Sequence, residues 1–188
     1  TFGWTNTFRY KNFDLSVFIN GSYGNKVYNY LSMKLTHMNS PWTNQLNAVN
    51  GRAQLVPINP NKVYEDGTMW YNDVSNVMVA NPGASIPRAT INDPNDNDRI
   101  SERYIEDGSY IRLKNISLGY TFPKKTIDKL GLSNLRIYAN IQNLLTITGY
   151  DGYDPEIGAS TSSVNVYGLD NGRYPSPTVY SFGLNVSF

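Results

Sequence analysis

The 188-residue sequence contains no cysteine and a single histidine, His37. Without cysteine there is no disulfide framework and no thiolate metal site. With one histidine and no G-x-S-x-G elbow, the material for Ser-His-Asp, Cys-His or multi-histidine zinc catalysis is missing, so no catalytic residue, cofactor or metal centre is expected. Charge of one sign is also scarce: 16 basic and 15 acidic residues leave a net charge of +1, which gives nucleic acid no electrostatic hold. Long apolar runs are absent. A membrane-spanning helix needs about 18 or more consecutive apolar residues, and no such run exists. Thr1 opens directly on strand-like sequence with no signal-peptide pattern, so either a leader has been removed or the chain begins part-way through a protein.

What is abundant is aromatic: 13% of the residues, 15 of them tyrosine, in a chain whose mean hydropathy is only −0.43. Transmembrane β-barrels have this character, because each strand turns only alternate residues toward lipid. Period-2 alternation marks five strands, over residues 2–10, 13–23, 109–122, 135–145 and 178–188. In the second, Phe13, Leu15, Val17 and Ile19 share one face and Asp14, Ser16 and Asn20 the other. The third places Ile116, Leu118, Tyr120 and Phe122 on a lipid face, but carrying that parity upward brings Arg112 and Lys114 into line. Either a bulge near Asn115 switches faces, or the two cations lie at headgroup level. The last strand alternates best, with Tyr180, Phe182, Leu184, Val186 and Phe188 facing one way. Eleven residues at roughly 3.3 Å each, tilted about 45°, rise roughly 25 Å, the height of an outer-membrane apolar band.

Connection lengths alternate: short at residues 11–12, long over 24–108, moderate over 123–134, long over 146–177. Short turns belong to the periplasmic side and long loops to the outside, which sets the C-terminus at the periplasmic rim. Within the first long loop, Ser40, Pro41 and Gly51 bracket Trp42, Leu46 and Val49 at helical spacing and predict a short helix; residues 27–35 are a weaker helical candidate. Residues 87–98 read as turns. Bacterial single-chain barrels have an even number of strands, at least eight, so five strands are expected to be part of a larger barrel. An open sheet leaves unpaired edges that a membrane does not tolerate.

The stretch RISERYIEDGSYIRLKNISLGYTFP at Arg99 to Pro123 resembles a characteristic segment of the SusC/RagA family of TonB-dependent outer-membrane transporters. LRIYANIQN at Leu135 to Asn143, TGYDGYDPEIG at Thr148 to Gly158 and the terminal GLDNGRYPSPTVYSFGLNVSF are similar in order and spacing, and the likeness extends to Phe8–Asn29. The resemblance implies an all-β fold: the C-terminal part of an antiparallel transmembrane barrel of about 22 strands with long extracellular loops. It implies that the plug domain, the TonB-contacting segment and the remaining strands lie outside this chain. Import of an oligosaccharide or peptide with a SusD-like lipoprotein, in a membrane of lipid and lipopolysaccharide, would follow. A barrel serving surface binding or adhesion without transport is the alternative; a soluble tyrosine-rich glycan-binding domain is a third reading.

Several residues stand out as candidate sites. The terminal alternation ending in Phe188 looks like the signal read by the barrel-assembly machinery, and the same residues suit lipid. Trp42, Trp70, Tyr150, Tyr153, Tyr167 and Tyr174 fall in the long loops, where they suit stacking on substrate or partner; ordinary loop packing or an interfacial aromatic belt competes with that role. Asp93, Asn95, Asn97 and Asp98 have the composition of a calcium loop. The EF-hand pattern, however, needs Gly where Asp98 stands and Glu where Tyr104 stands, so Asx turns explain them better, as they do Asp151, Asp154 and Glu156.

Overall fold

A computed structural model describes residues 1–157 and 167–188. In chain order the strands are β1 (Phe2–Tyr10), β2 (Phe13–Ser22), β3 (Lys26–Asn29), β4 (Leu55–Pro57), β5 (Val77–Val79), β6 (Ile105–Asp107), β7 (Tyr110–Thr121), β8 (Asn134–Thr148), β9 (Leu169–Asp170) and β10 (Val179–Ser187). Two short α-helices accompany them, α1 (Tyr30–Thr36) and α2 (Lys124–Ile127). The chain divides into two compact units, residues 1–29 with 105–188, and residues 30–104.

The first unit is built on a five-stranded antiparallel sheet in the order β1-β2-β7-β8-β10. Strands adjacent in the sheet are consecutive long strands in the chain, which is the meander of a barrel wall. β1 and β2 meet through Lys11 and Asn12, with Lys11 at φ +52°. β7 and β8 are joined by α2 and a 3-10 turn ending at Gly131, whose φ of +70° suits a residue without a Cβ. Ile127 is buried and holds this connection down.

Register makes the two faces explicit. Phe8, Leu15, Leu118, Ala139 and Phe182 form one row across all five strands, and Trp4 or Tyr10 flank it beside Ile19 and Phe13. This face is bare: Phe182 is 84% exposed and Leu184 60%, and Trp4, Phe8 and Leu118 are about half exposed. A soluble sheet buries such a face; a wall in lipid presents it. No helix among the described residues is long and apolar enough to cross a membrane.

The ambiguity at Arg112 and Lys114 resolves as a bulge. β2 advances one residue from Phe18 to Ile19 while β7 advances two, from Asn115 to Leu113, so Lys114 is the extra residue. The shift carries Leu113 and Ile111 onto the apolar face beside Leu145 and Ile147 and sends Arg112 to the polar one. Of the two alternatives, the structure takes the bulge near Asn115. β8 takes two extra residues at the same level, with Asn143 at φ +51°, and so keeps its parity and runs on to Thr148, beyond the expected end at Leu145.

At the Ser22 end of the same sheet sits a small mixed sheet, β6-β3-β9. Gly24 N–H donates to Ser109 Oγ and Tyr28 N–H to Gly168 O, so the start of the first long connection is tied to the residue before β7 and to the later part of the second connection.

The second unit, residues 30–104, contains α1, the β4–β5 hairpin and turns. The helix expected over Ser40–Gly51 is not there; a 3-10 turn covers Asn47–Gly51 only. Ser40 Oγ accepts from Trp42 N–H within a local turn, and Leu46 N–H donates to Leu35 O, so the amides a helix needs are committed elsewhere. The candidate over residues 27–35 is half strand, β3, and half helix, α1. Residues 91–98 are turns and bends, as their Asn, Asp and Pro content predicts, whereas 87–90 carry no turn.

Candidate functional site

The polar face of the wall is cross-braced. The Arg136 guanidinium donates to Asp14 (Nη2 to Oδ2, 2.6 Å), linking β8 to β2 across β7. The pair passes over Gly119, where any Cβ would collide with both side chains. The Arg136 guanidinium lies 5.2 Å from the Tyr138 ring centre, and that ring in turn occupies the space a side chain would fill at Gly183 on β10. Two strand glycines thus make room for a cation and an aromatic ring that tie four strands together.

Higher on the same face, beyond the bulge, a second cluster fixes the loop after β8. Arg112, buried at 3% exposure, donates to Asp154 at 2.5 Å and to Glu156 at 2.6 Å, while its Nε donates to Thr146 Oγ1. Lys114 Nζ also reaches Glu156 at 2.6 Å. Asp154 accepts the N–H groups of Glu156 and Ser176, the first being the expected Asx turn. Burial raises the Asp154 carboxyl pKa, but the Arg112 hydrogen bond and the two backbone donors outweigh it and hold the group below its ordinary value.

A third group lies beside it. Tyr150 O–H donates to Asp170 Oδ2 at 2.6 Å, and Asp170 also accepts from Gly172 N–H. Burial first, and then this acidic partner, push the tyrosine hydroxyl pKa upward. Glu106 accepts from Asn29 and from Asp151 N–H. The result is a loop platform with its acids neutralised or saturated, suited to holding a loop shape rather than to proton transfer.

The aromatic candidates separate by exposure. Trp42, Tyr153, Tyr167 and Tyr174 are open to solvent, at 64 to 93% exposure. Tyr150 is corrected: at 6% exposure and hydrogen-bonded to Asp170, it packs inside its own loop and offers no outward face. Trp70 stacks edge-on against Tyr71 and lines a cleft of about 840 Å³ with Arg52, Arg88 and Asn92 in the second unit. On the sheet, Ile116, Leu118, Tyr120 and Phe122 lie on the apolar face with Tyr180, Phe182, Leu184 and Val186. Tyr120 is packed between Phe13 and Phe122 at 4.7 and 5.0 Å. Phe188 is 93% exposed. Residues 158–166 of the second long loop, Gly158 of the TGYDGYDPEIG segment included, lie outside the described residues.

The Arg112 cluster is not legible by pattern, because Arg112 and Asp154 are 42 positions apart. Its one signal was the apolar pair Ile111 and Leu113 straddling an arginine on the wrong parity.

An open antiparallel meander with one bare apolar face and one ion-paired polar face is a section of transmembrane β-barrel wall. No protein-family model matches the chain. Relatives do: the TonB-dependent receptor P3 of Formosa agariphila is 35% identical over 193 residues, covering all of this chain and 16% of that protein. The TonB-dependent receptor SusC of Bacteroides thetaiotaomicron is 28% identical over 99% of the chain, which spans 15% of SusC. Among solved structures, the RagAB peptide transporter superposes with a TM-score of 0.64 at 19% identity, over 94% of this chain and 16% of that one. The chain belongs to the TonB-dependent receptors of the SusC/RagA kind and spans about a sixth of the length of the relatives it matches.

Proposed function

We propose that this chain forms wall strands and external loops of an outer-membrane TonB-dependent importer of a large nutrient, an oligosaccharide or a peptide. The observation that carries this reading is the two-faced five-stranded wall, in a chain related over its whole length to TonB-dependent receptors. The lipid face comprises the rows through Leu118 and Phe182, and the strand ending in Phe188 serves as the assembly signal. The end of the sheet with the short connections, where Phe188 lies, faces the periplasm; the loop platform of Arg112, Asp154 and Tyr150 faces outward. A SusD-like surface lipoprotein joins it, with the exposed rings of Trp42, Tyr153, Tyr167 and Tyr174 and the Trp70 cleft as contacts for partner or substrate. Energy coupling to the TonB complex runs through parts of the protein outside this chain.

The test is deletion of the gene, with uptake and surface binding of the same labelled oligosaccharide or peptide mixture measured side by side. Loss of uptake supports import, whereas loss of surface binding with uptake unchanged would favour an adhesin or capture barrel.

A further inference from the structure

The second unit holds a cluster that neither the wall nor the loop platform uses. His37 directly follows α1, its N–H donating to Met33 O, and Thr90 N–H donates to Met38 O, so the segments at 37–38 and 90–93 run side by side. This brings the His37 Nε2 to 3.6 Å from Asp93 Oδ2, with side-chain exposures of 9 and 10%. That distance is too long for a hydrogen bond, and His37 Nε2 is buried without any hydrogen-bond partner. Asp98 completes the group: one donor atom from each of the three residues lies within 4.8 Å of the others.

The loop that carries the two acids is held in shape independently. The Asp93 carboxylate accepts the backbone N–H and the side-chain amide of Asn97, at 2.5 and 2.6 Å, and Asp93 and Asp96 both adopt positive φ. Each carboxylate oxygen has a further lone pair, so these bonds orient Asp93 without exhausting it. Donors about 2.0 to 2.1 Å from a tetrahedral ion stand roughly 3.4 Å apart, close to the His37–Asp93 separation. Asp98, exposed, has the rotamer freedom to close the third edge and leaves a fourth position toward water.

We propose that His37, Asp93 and Asp98 form a divalent-metal site that takes zinc and staples the segment after α1 to the 93–98 loop. An imidazole with two carboxylates suits Zn²⁺, whereas Ca²⁺ and Mg²⁺ favour all-oxygen sets. The site explains the orphaned imidazole nitrogen, which an Asx-type loop alone does not.

The full-length protein, stripped with chelator in detergent, is titrated with ZnCl₂ alongside His37→Gln and Asp98→Asn. The expected result is one more equivalent of zinc on the unaltered protein than on His37→Gln, and binding at least about tenfold weaker in Asp98→Asn. Zinc should also slow amide exchange at residues 37–38 and 93–98 in the unaltered protein only. Equal zinc stoichiometry and affinity in all three proteins would overturn the proposal, as would full displacement of zinc by millimolar Ca²⁺. Exchange protection already present without zinc and unmoved by it would do the same, leaving a His37–Asp93 ion pair. Should His37→Gln not assemble, Asp98→Asn alters an exposed side chain and carries the comparison by itself.

Discussion

At the scale of single residues, Arg112 carries the most weight, since it enters the polar face from a strand whose neighbours Ile111 and Leu113 face the other way. Its removal strands Asp154, 6% exposed, without its charged partner. Breaking a buried pair in this manner costs about 3 to 5 kcal/mol. Arg112→Leu is therefore expected to loosen residues 149–157 while the sheet stays intact, with amide exchange rising in that loop and not in β2 or β7. The same pair sets a pH response. Asp154 titrates below its ordinary value of 3.8 in the folded loop, so its contribution is fully present above that value and lost as pH falls through the lowered one. Exchange protection of residues 149–157 should thus hold from neutral pH down to about 4 and decline only below it; a decline beginning near pH 6 would contradict the assignment.

At the scale of elements, the long strands were legible because alternation is a direct consequence of a wall with lipid on one side and water on the other. The strands β3, β6 and β9, two to four residues each, are too short to carry a period, and only their pairing in space reveals them. The predicted helix over Ser40–Gly51 failed for a different reason. Ser40, Pro41 and Gly51 were read as helix caps, but the hydrogen bond from Leu46 N–H to Leu35 O takes an amide the helix would need, and that pairing is invisible in a local window. Gly119 and Gly183 were visible as strand glycines, yet their purpose required knowing that Arg136 and Tyr138 cross over them. Leu118 stands mid-strand between Leu15 and Ala139, so Leu118→Arg should cost about 2 to 4 kcal/mol of barrel stability in denaturant titrations in lipid. Gly119→Val should also destabilise the wall, by displacing the Asp14–Arg136 pair. Because that pair is the cause, combining it with Asp14→Asn should give less than the sum of the two effects.

At the scale of the whole molecule, the sheet has, among the described residues, two unpaired edges, β1 and β10, and a bare apolar face. The isolated 188-residue chain is expected to aggregate in water and to need detergent or lipid, which light scattering with and without detergent would check. In the full-length protein, Phe188→Ala should slow barrel insertion and lower the folded amount; the measurement is heat-modifiable gel mobility together with surface abundance. The membrane relation and the family were readable from residue order, because the segments that resemble the family are the wall strands and their margins. The fixing of the loops was not, since it depends on Arg112, Lys114, Asp154 and Glu156 meeting across the fold.

The bulge at Lys114 also bears on how such proteins can be recombined. β7 carries one extra residue at that level and β8 two, so the three form a single splice unit that keeps inside and outside in phase. A chimaera that exchanges the outer loops between relatives should place its joins at Asn115 and Gln142, taking the whole unit with the graft. A join that keeps Lys114 but pairs it as an ordinary ladder residue would turn Arg112 toward lipid and swap every side chain beyond it. Loop transplants that ignore this phase would fail for reasons unrelated to the loops they carry.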